Sequence, residues 1–193
     1  MKTKRAIGAL VLGLMVLGLG VGKAKAATQD NIQLLVTPGV TYSVVITSVN
    51  ASGYDFGTVN LNSTTLSTAP ILVENNGDTN ARWRVRIDSL ASNWSAGAAP
   101  ATDVYEMRAL FTTTAGGQPP EANFTDSTDE LVEDSFQNPS GGAEFEEGVD
   151  VDSVSSVGGS DQRRLWLYLG MPTANGQGAT EKAFQLSIDA VAP

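Results

Sequence analysis

Apolar and polar residues alternate strictly through one stretch of the chain. Trp83, Val85 and Ile87 fall on one parity, and Arg82, Arg84, Arg86 and Asp88 on the other. A period of two is that of a strand with one dry and one wet face. Just upstream, Ile71, Leu72 and Val73 form an apolar run, separated from the alternating stretch by Asn75-Asn76-Gly77-Asp78. Asn, Gly and Asp tolerate the positive φ angles of tight turns. The pattern predicts a β-hairpin over residues 71–90 whose Trp-Val-Ile face needs a second layer to cover it.

Further strands are predicted on both sides. Ile32, Leu34 and Val36 share one parity before the turn Pro38-Gly39, and Tyr42, Val44 and Ile46 share one after it. Residues 56–61 (FGTVNL) read as a short strand, and residues 92–103 as a loop carrying Trp94. Residues 104–114 (VYEMRALFTTT) form a long strand. In RRLWLYLG, Leu165, Leu167 and Leu169 alternate with Trp166 and Tyr168, so both faces are apolar. That is the mark of a central strand, or of one whose outer face is covered by another part of the chain. Phe184, Leu186 and Ile188 give the last strand. Short strands punctuated by turn residues predict an all-β fold, an antiparallel β-sandwich of immunoglobulin-like or jelly-roll-like type.

Residues 115–161 interrupt this pattern. They are rich in Gly, Ser, Pro, Asp and Glu, and twelve acidic residues and no basic one lie between Glu121 and Asp161. So long an acidic insertion in a compact domain is usually functional or unstructured. With few apolar anchors evident, it is expected to be the most protease-sensitive part of the protein. Ser127 and Glu130 match a capping box, and Val132 and Phe136 are spaced i,i+4, so a short helix is predicted near residues 128–136.

The N-terminus carries an address. Lys2, Lys4 and Arg5 precede a long uncharged apolar run that ends at Ala24-Lys25-Ala26, the small-x-small pattern of signal peptidase cleavage. Residues 1–26 are expected to be a signal peptide and 27–193 a single secreted domain, extracellular or at the cell surface. No second apolar segment follows, so no membrane insertion is expected after cleavage. Five of the 12 basic residues lie in the leader and none of the 21 acidic ones do, so the mature chain carries 7 − 21 = −14. Such a charge disfavours nucleic acid and anionic membranes as partners. Cysteine and histidine are both absent, which removes disulfides, Ser-His-Asp and Cys-His catalysis, imidazole metal sites and histidine pH switching.

What remains as candidate chemistry is modest. Trp94, flanked by polar Asn93 and Ser95, either plugs one end of the sandwich or stacks on a sugar ring. Asp126, Asp129 and Glu130, and separately Asp150 and Asp152, cluster carboxylates of the kind calcium takes, although no EF-hand spacing is present. A pair of carboxylates could also serve a glycosidase, though nothing singles out a pair. Lys182 is the sole lysine after cleavage, and Asn50, Asn62, Asn93 and Asn123 begin Asn-x-Ser/Thr triplets. The row Arg82, Arg84 and Arg86 either solubilises a strand face or docks an acidic surface, for which the protein's own insertion qualifies.

The order FGTVNL, ILVENNGD and then a strand with an inward Trp resembles secreted bacterial immunoglobulin-like sandwiches. Gly57-Thr58-Val59-Asn60-Leu61, Glu74-Asn75-Asn76-Gly77 and the closing FQLSIDA are also similar to camelysin-like subunits of biofilm matrix fibres. The chain departs from the latter in its ATQDNIQLLV start and in its lack of histidines and abundant lysines. The expectation is a non-catalytic extracellular structural or surface protein, associating with itself or with other surface proteins, its NIQLLVT segment either pairing within its own domain or exchanged between copies. No resident cofactor or metal is assigned. A carbohydrate-binding or adhesive module and a carboxylate hydrolase are the alternatives.

Overall fold

The structure, a computed structural model, describes residues 33, 35–47, 53–88, 93–125, 128–137, 145–147, 149–156, 161–178 and 180–193. The expected leader, Ile32, Leu34, Asp126 and Ser127 lie outside the described residues. The chain divides into two units, Met1–Thr37 and Pro38–Pro193. The described residues of the first unit lie in no strand.

The second unit is all-β, two sheets packed as a sandwich. Its strands are β1 (Val45–Ile46), β2 (Thr64–Leu66), β3 (Ile71–Glu74), β4 (Arg82–Asp88), β5 (Ser95–Ala96), β6 (Val104–Thr112), β7 (Glu146–Glu147), β8 (Gln162–Gly170) and β9 (Gln185–Val191). The larger sheet runs β1–β3–β8–β6–β5, with β2 also on β8 and β7 also on β6; β4 and β9 form the smaller sheet. All pairings are antiparallel except the two-residue contacts of β5 and β7 with β6.

β8 is central because both of its faces are apolar. Leu165 and Leu169 join Trp83, Val85, Ile87, Tyr105, Met107 and Phe111 in the main core. Trp166 and Tyr168, on the other face, pack with Leu110 and with Phe124 from the insertion. The Trp166 indole N–H donates to Thr112 Oγ1 at 3.1 Å, so the buried polar end is satisfied. β2 and β3 meet β8 in succession, and the step between them is held by Ser67. This buried residue donates its N–H to Leu167 O at 2.8 Å, accepts the Leu167 N–H on Oγ at 2.9 Å, and accepts Gln118 Nε2 on its carbonyl at 2.9 Å.

The hairpin predicted over residues 71–90 is not formed. β3 pairs with β1 and β8 whereas β4 pairs with β9, so residues 75–81 arch from one sheet to the other. No residue of the arch has a positive φ, so the turn chemistry of a hairpin goes unused. Buried Asn75 organises the crossing instead: its Nδ2 donates to Val154 O at 2.8 Å and Thr79 O at 3.0 Å, and its Oδ1 accepts the Gly77 N–H at 3.0 Å. Gly77 is required by close approach, since a Cβ there would stand 2.4 Å from Thr41 O. The dry face of the alternating stretch is as the sequence predicts: Trp83 and Val85 are 0 % exposed and Ile87 1 %.

The helix predicted near residues 128–136 is likewise absent. Leu131, spaced for a strand partner, is fully buried, and the backbone extends from sheet to sheet. Ala109 N–H donates to Asp129 O and Leu131 N–H to Met107 O, both at 2.9 Å, after which residues 133 and 137 bridge to Ile87 and Val85. The chain then crosses the same side again, from β7 on Phe111 to Val151 and Val154 beside β4. The insertion therefore closes one side of the sandwich twice. Phe124, Leu131, Phe145, Val151 and Val154 are buried anchors within it, more than the expectation of a segment poor in apolar anchors allowed. The only helical turn among the described residues is a 3-10 turn at Glu121–Asn123. The expected strand at residues 56–61 is replaced by β2, and that over residues 40–49 shrinks to β1 among the described residues, with Tyr42 and Ile46 at its exposed margin.

Candidate functional site

The arginine row of β4 lies against the insertion. Arg82 Nε donates to Asp152 Oδ1 at 2.8 Å, Arg84 Nε to Asp189 Oδ1 of β9 at 2.8 Å, and Arg86 pairs with Asp88 at 2.6 Å. The Arg84 and Arg86 guanidinium carbons also lie 5.0 and 4.4 Å from the ring centroid of Phe136, stacking that favours holding a ring on the row. The hydrogen bond to Asp189, against the cost of burial, raises the Arg84 pKa further. Of the three arginines only Arg82 pairs with a carboxylate of the insertion; Arg84 and Arg86 pair with β9 and β4 and meet the insertion through the ring of Phe136.

Beside Arg82, Glu146, Asp150 and Asp152 bring carboxylate oxygens within 4.8 Å of one another. Repulsion is relieved from within. The Val151 N–H donates to Glu146 Oε1 at 2.8 Å, and the Asp152 and Ser153 N–H groups donate to Asp150 Oδ1 at 2.8 and 3.1 Å. Burial, then the charges of Asp150 and Asp152, raises the Glu146 pKa. Burial lowers that of Arg163, whose Nη2 donates to Asp150 O at 3.3 Å. These three carboxylates are the described residues that could hold a cation, although calcium takes six to eight oxygens and Arg82 already answers Asp152.

The other carboxylates proposed from the sequence are apart from this group. Asp129 is 2 % exposed, and its oxygens accept the Thr125 N–H at 2.7 Å and the Phe145 N–H at 3.1 Å. Burial raises its pKa, opposed by these bonds. It staples the insertion and offers no open coordination. Glu130 bridges to Arg108 through its backbone. Glu146 is not singled out by the sequence; its signal is position, four residues before Asp150 in the acidic run.

Trp94 is 7 % exposed and fills one end of the core. Its indole N–H donates to Asn175 Oδ1 at 3.4 Å, Phe184 lies 6.4 Å away between centroids, and the Lys182 ammonium stands 5.4 Å over the ring. It is the plug rather than an open stacking platform. Nearby, Tyr105 packs on Phe184 at 4.3 Å, and burial, then Glu133, raises its phenol pKa.

One structural edge stands out. Odd-numbered β4 residues direct their backbone groups to the insertion: Trp83 N–H to Val151 O at 2.9 Å, and Gln137 N–H to Val85 O at 3.0 Å. The even-numbered ones therefore face β9, opposite residues 185, 187, 189 and 191. It follows that Leu186, Ile188 and Ala190 direct theirs away from β4, where no strand among the described residues pairs with them. Their side chains pack on the core yet remain half-buried, while their cross-strand partners Ile87, Val85 and Trp83 are buried.

No family model, curated protein or solved structure matches this chain. Among the described residues, no helix is long and apolar enough to cross a membrane.

Proposed function

We propose that the mature protein is exported and serves as a non-catalytic structural or surface protein outside the cell, whose copies associate by exchange of the N-terminal segment. The observation that carries this reading is the exposure of Leu35 and Val36, at 84 % and 89 %, in an apolar stretch that pairs with no strand among the described residues. Exposed apolar side chains favour a partner that covers them. The perturbed side chains support a structural role as well: Asp129 is committed to two backbone N–H groups and Tyr105 to Glu133.

Strand addition from head to tail builds filaments, because it does not close. A mature charge of −14, that is 7 − 21, opposes association, so acid and salt should promote it. The test deletes residues 27–37 and compares both forms by light scattering and electron microscopy, with circular dichroism confirming that the shortened form is folded. Polymers from the full mature chain alone are the expected result. A full mature chain that stays monomeric at high concentration in acid and salt would remove the reading.

A further inference from the structure

We infer that the outer edge of β9 is the surface that receives the exchanged strand, and that its occupant is residues 31–37 of a second copy. The inference rests on the self-association reading above and names its acceptor.

Four terminal strands of the two sheets are at issue. β1 and β5 are two residues long, too short to template a strand, and β5 is one of three segments that guard β6. β5, residues 129–131 and β7 line the outer side of β6 in turn. β4 is guarded by residues 132–137 and 151–154. β9 alone among these edges is seven residues long and lacks a neighbour among the described residues. Proteins ordinarily blunt such an edge with lysine, proline, a bulge or a very short strand. QLSIDAV contains no lysine and no proline, its register on β4 is unbroken, and its one charge, Asp189, is taken by Arg84.

The edge is also incomplete on its apolar side. Trp83, Val85 and Ile87 have neighbours on both flanks and are buried. Leu186, Ile188 and Ala190, on the same face one strand further out, are half-buried. A strand added outside β9 with apolar residues on one parity would cover them and pair the outward backbone groups at once. Residues 31–37 (NIQLLVT) meet both requirements. Ile32, Leu34 and Val36 share a parity, the stretch equals β9 in length, and Pro38, which has no N–H, ends the pairing.

The absence of cysteine gives a clean test on the mature chain. One population carries Gln33→Cys or Leu35→Cys, positions of the parity opposite to the apolar one. The other carries Ser187→Cys, on the matching face of β9. The two are mixed and oxidised in acid and salt, and disulfides between copies are mapped by mass spectrometry. A disulfide joining residue 33 or 35 of one copy to residue 187 of another is expected. Ile188→Pro or Ala190→Pro in the acceptor removes an outward N–H without touching the ladder to β4, and should lower the yield about tenfold.

If the mature protein polymerises but the disulfide to residue 187 does not form, β9 is not the acceptor, while self-association stands. Equal polymerisation by a folded Ile188→Pro chain likewise removes β9 as the acceptor. If the double variant Leu35→Cys/Ser187→Cys closes its disulfide within a monomer, the occupant is the chain's own segment and the second copy is excluded. Absence of any polymer defeats the self-association reading itself. Should the proline variants fail to fold, the disulfide map decides alone.

Discussion

Arg82 and Asp152 are 70 residues apart in sequence and joined by a 2.8 Å hydrogen bond that ties β4 to the insertion. Their side chains are 33 % and 27 % exposed, so water and salt screen the pair. Arg82→Ala should therefore cost at most about 1 kcal/mol, less in high salt. Arg108 is a different case. It pairs with Glu106, their side chains are 12 % and 4 % exposed, and its Nη1 donates to Phe124 O at 2.6 Å. Arg108→Ala strands a buried carboxylate and should cost about 3–5 kcal/mol. Urea denaturation of the two variants at low and high salt checks both the order and the salt dependence.

Trp83 is fully buried, with its ring centroid 5.5 Å from that of Phe111. Trp83→Ala should cost about 3–5 kcal/mol. The indole N–H has no hydrogen-bond partner among the described residues, so Trp83→Phe should cost clearly less. Trp94→Ala, at the buried plug, should also be strongly destabilising. Thermal melts of the three variants separate these cases, and a near-silent Trp94→Ala would show that the plug is not needed.

Stability should depend on pH with a definite sign. Burial raises the pKa of Asp129 above 3.8 and that of Glu146 above 4.5, so both hold a proton more firmly folded than unfolded. Their contribution is complete below the unfolded values and is lost as pH rises through the raised folded ones. From neutrality down toward the ordinary carboxylate range, folding should take up protons and stability should rise. Asp129→Asn should flatten this slope. It should also cost stability at every pH, because its Nδ2 would face a backbone N–H. Denaturant titrations across the pH series measure both effects.

Limited proteolysis should spare the insertion near Phe124, Leu131, Phe145, Val151 and Val154, which are buried. Leu131→Asp should expose residues 128–137 to cleavage while leaving the main-sheet ladder between β6 and β8 in place. Mass spectrometry of the fragments locates the cuts. Cleavage of the unaltered protein beside these anchors would show that they do not hold.

β4, with its strict alternation, and β8, apolar on both faces, are legible in the sequence because their side chains carry the pattern by themselves. Which strands pair is not, because pairing here joins residues far apart. Asn75 and Gly77 look like hairpin residues in sequence. Their amide and missing Cβ serve Val154 and Thr41 instead, contacts that no local window contains. The short helix rests on one capping match and one apolar pair, and tertiary pairing with Met107, Val85 and Ile87 overrides it. Docking of the arginine row on the insertion, seen in the Arg82–Asp152 contact, is one of two uses that charge alone suggests. The carboxylate trio depends on the Val151 N–H donating to Glu146, a contact that charge spacing alone does not announce.

The position of β8 in the chain sets the order of events when the protein is made. Ser67 and Leu167 are hydrogen-bonded across 100 residues, and β2, β3 and β6 all pair on β8. Loop closure on this scale makes folding slow and keeps non-local strands apart until their partner exists. A growing chain that has emerged only to residue 160 possesses the edges of the large sheet and lacks its middle. The large sheet therefore cannot close before residues 162–170 have been made, because β2, β3 and β6 all wait for β8.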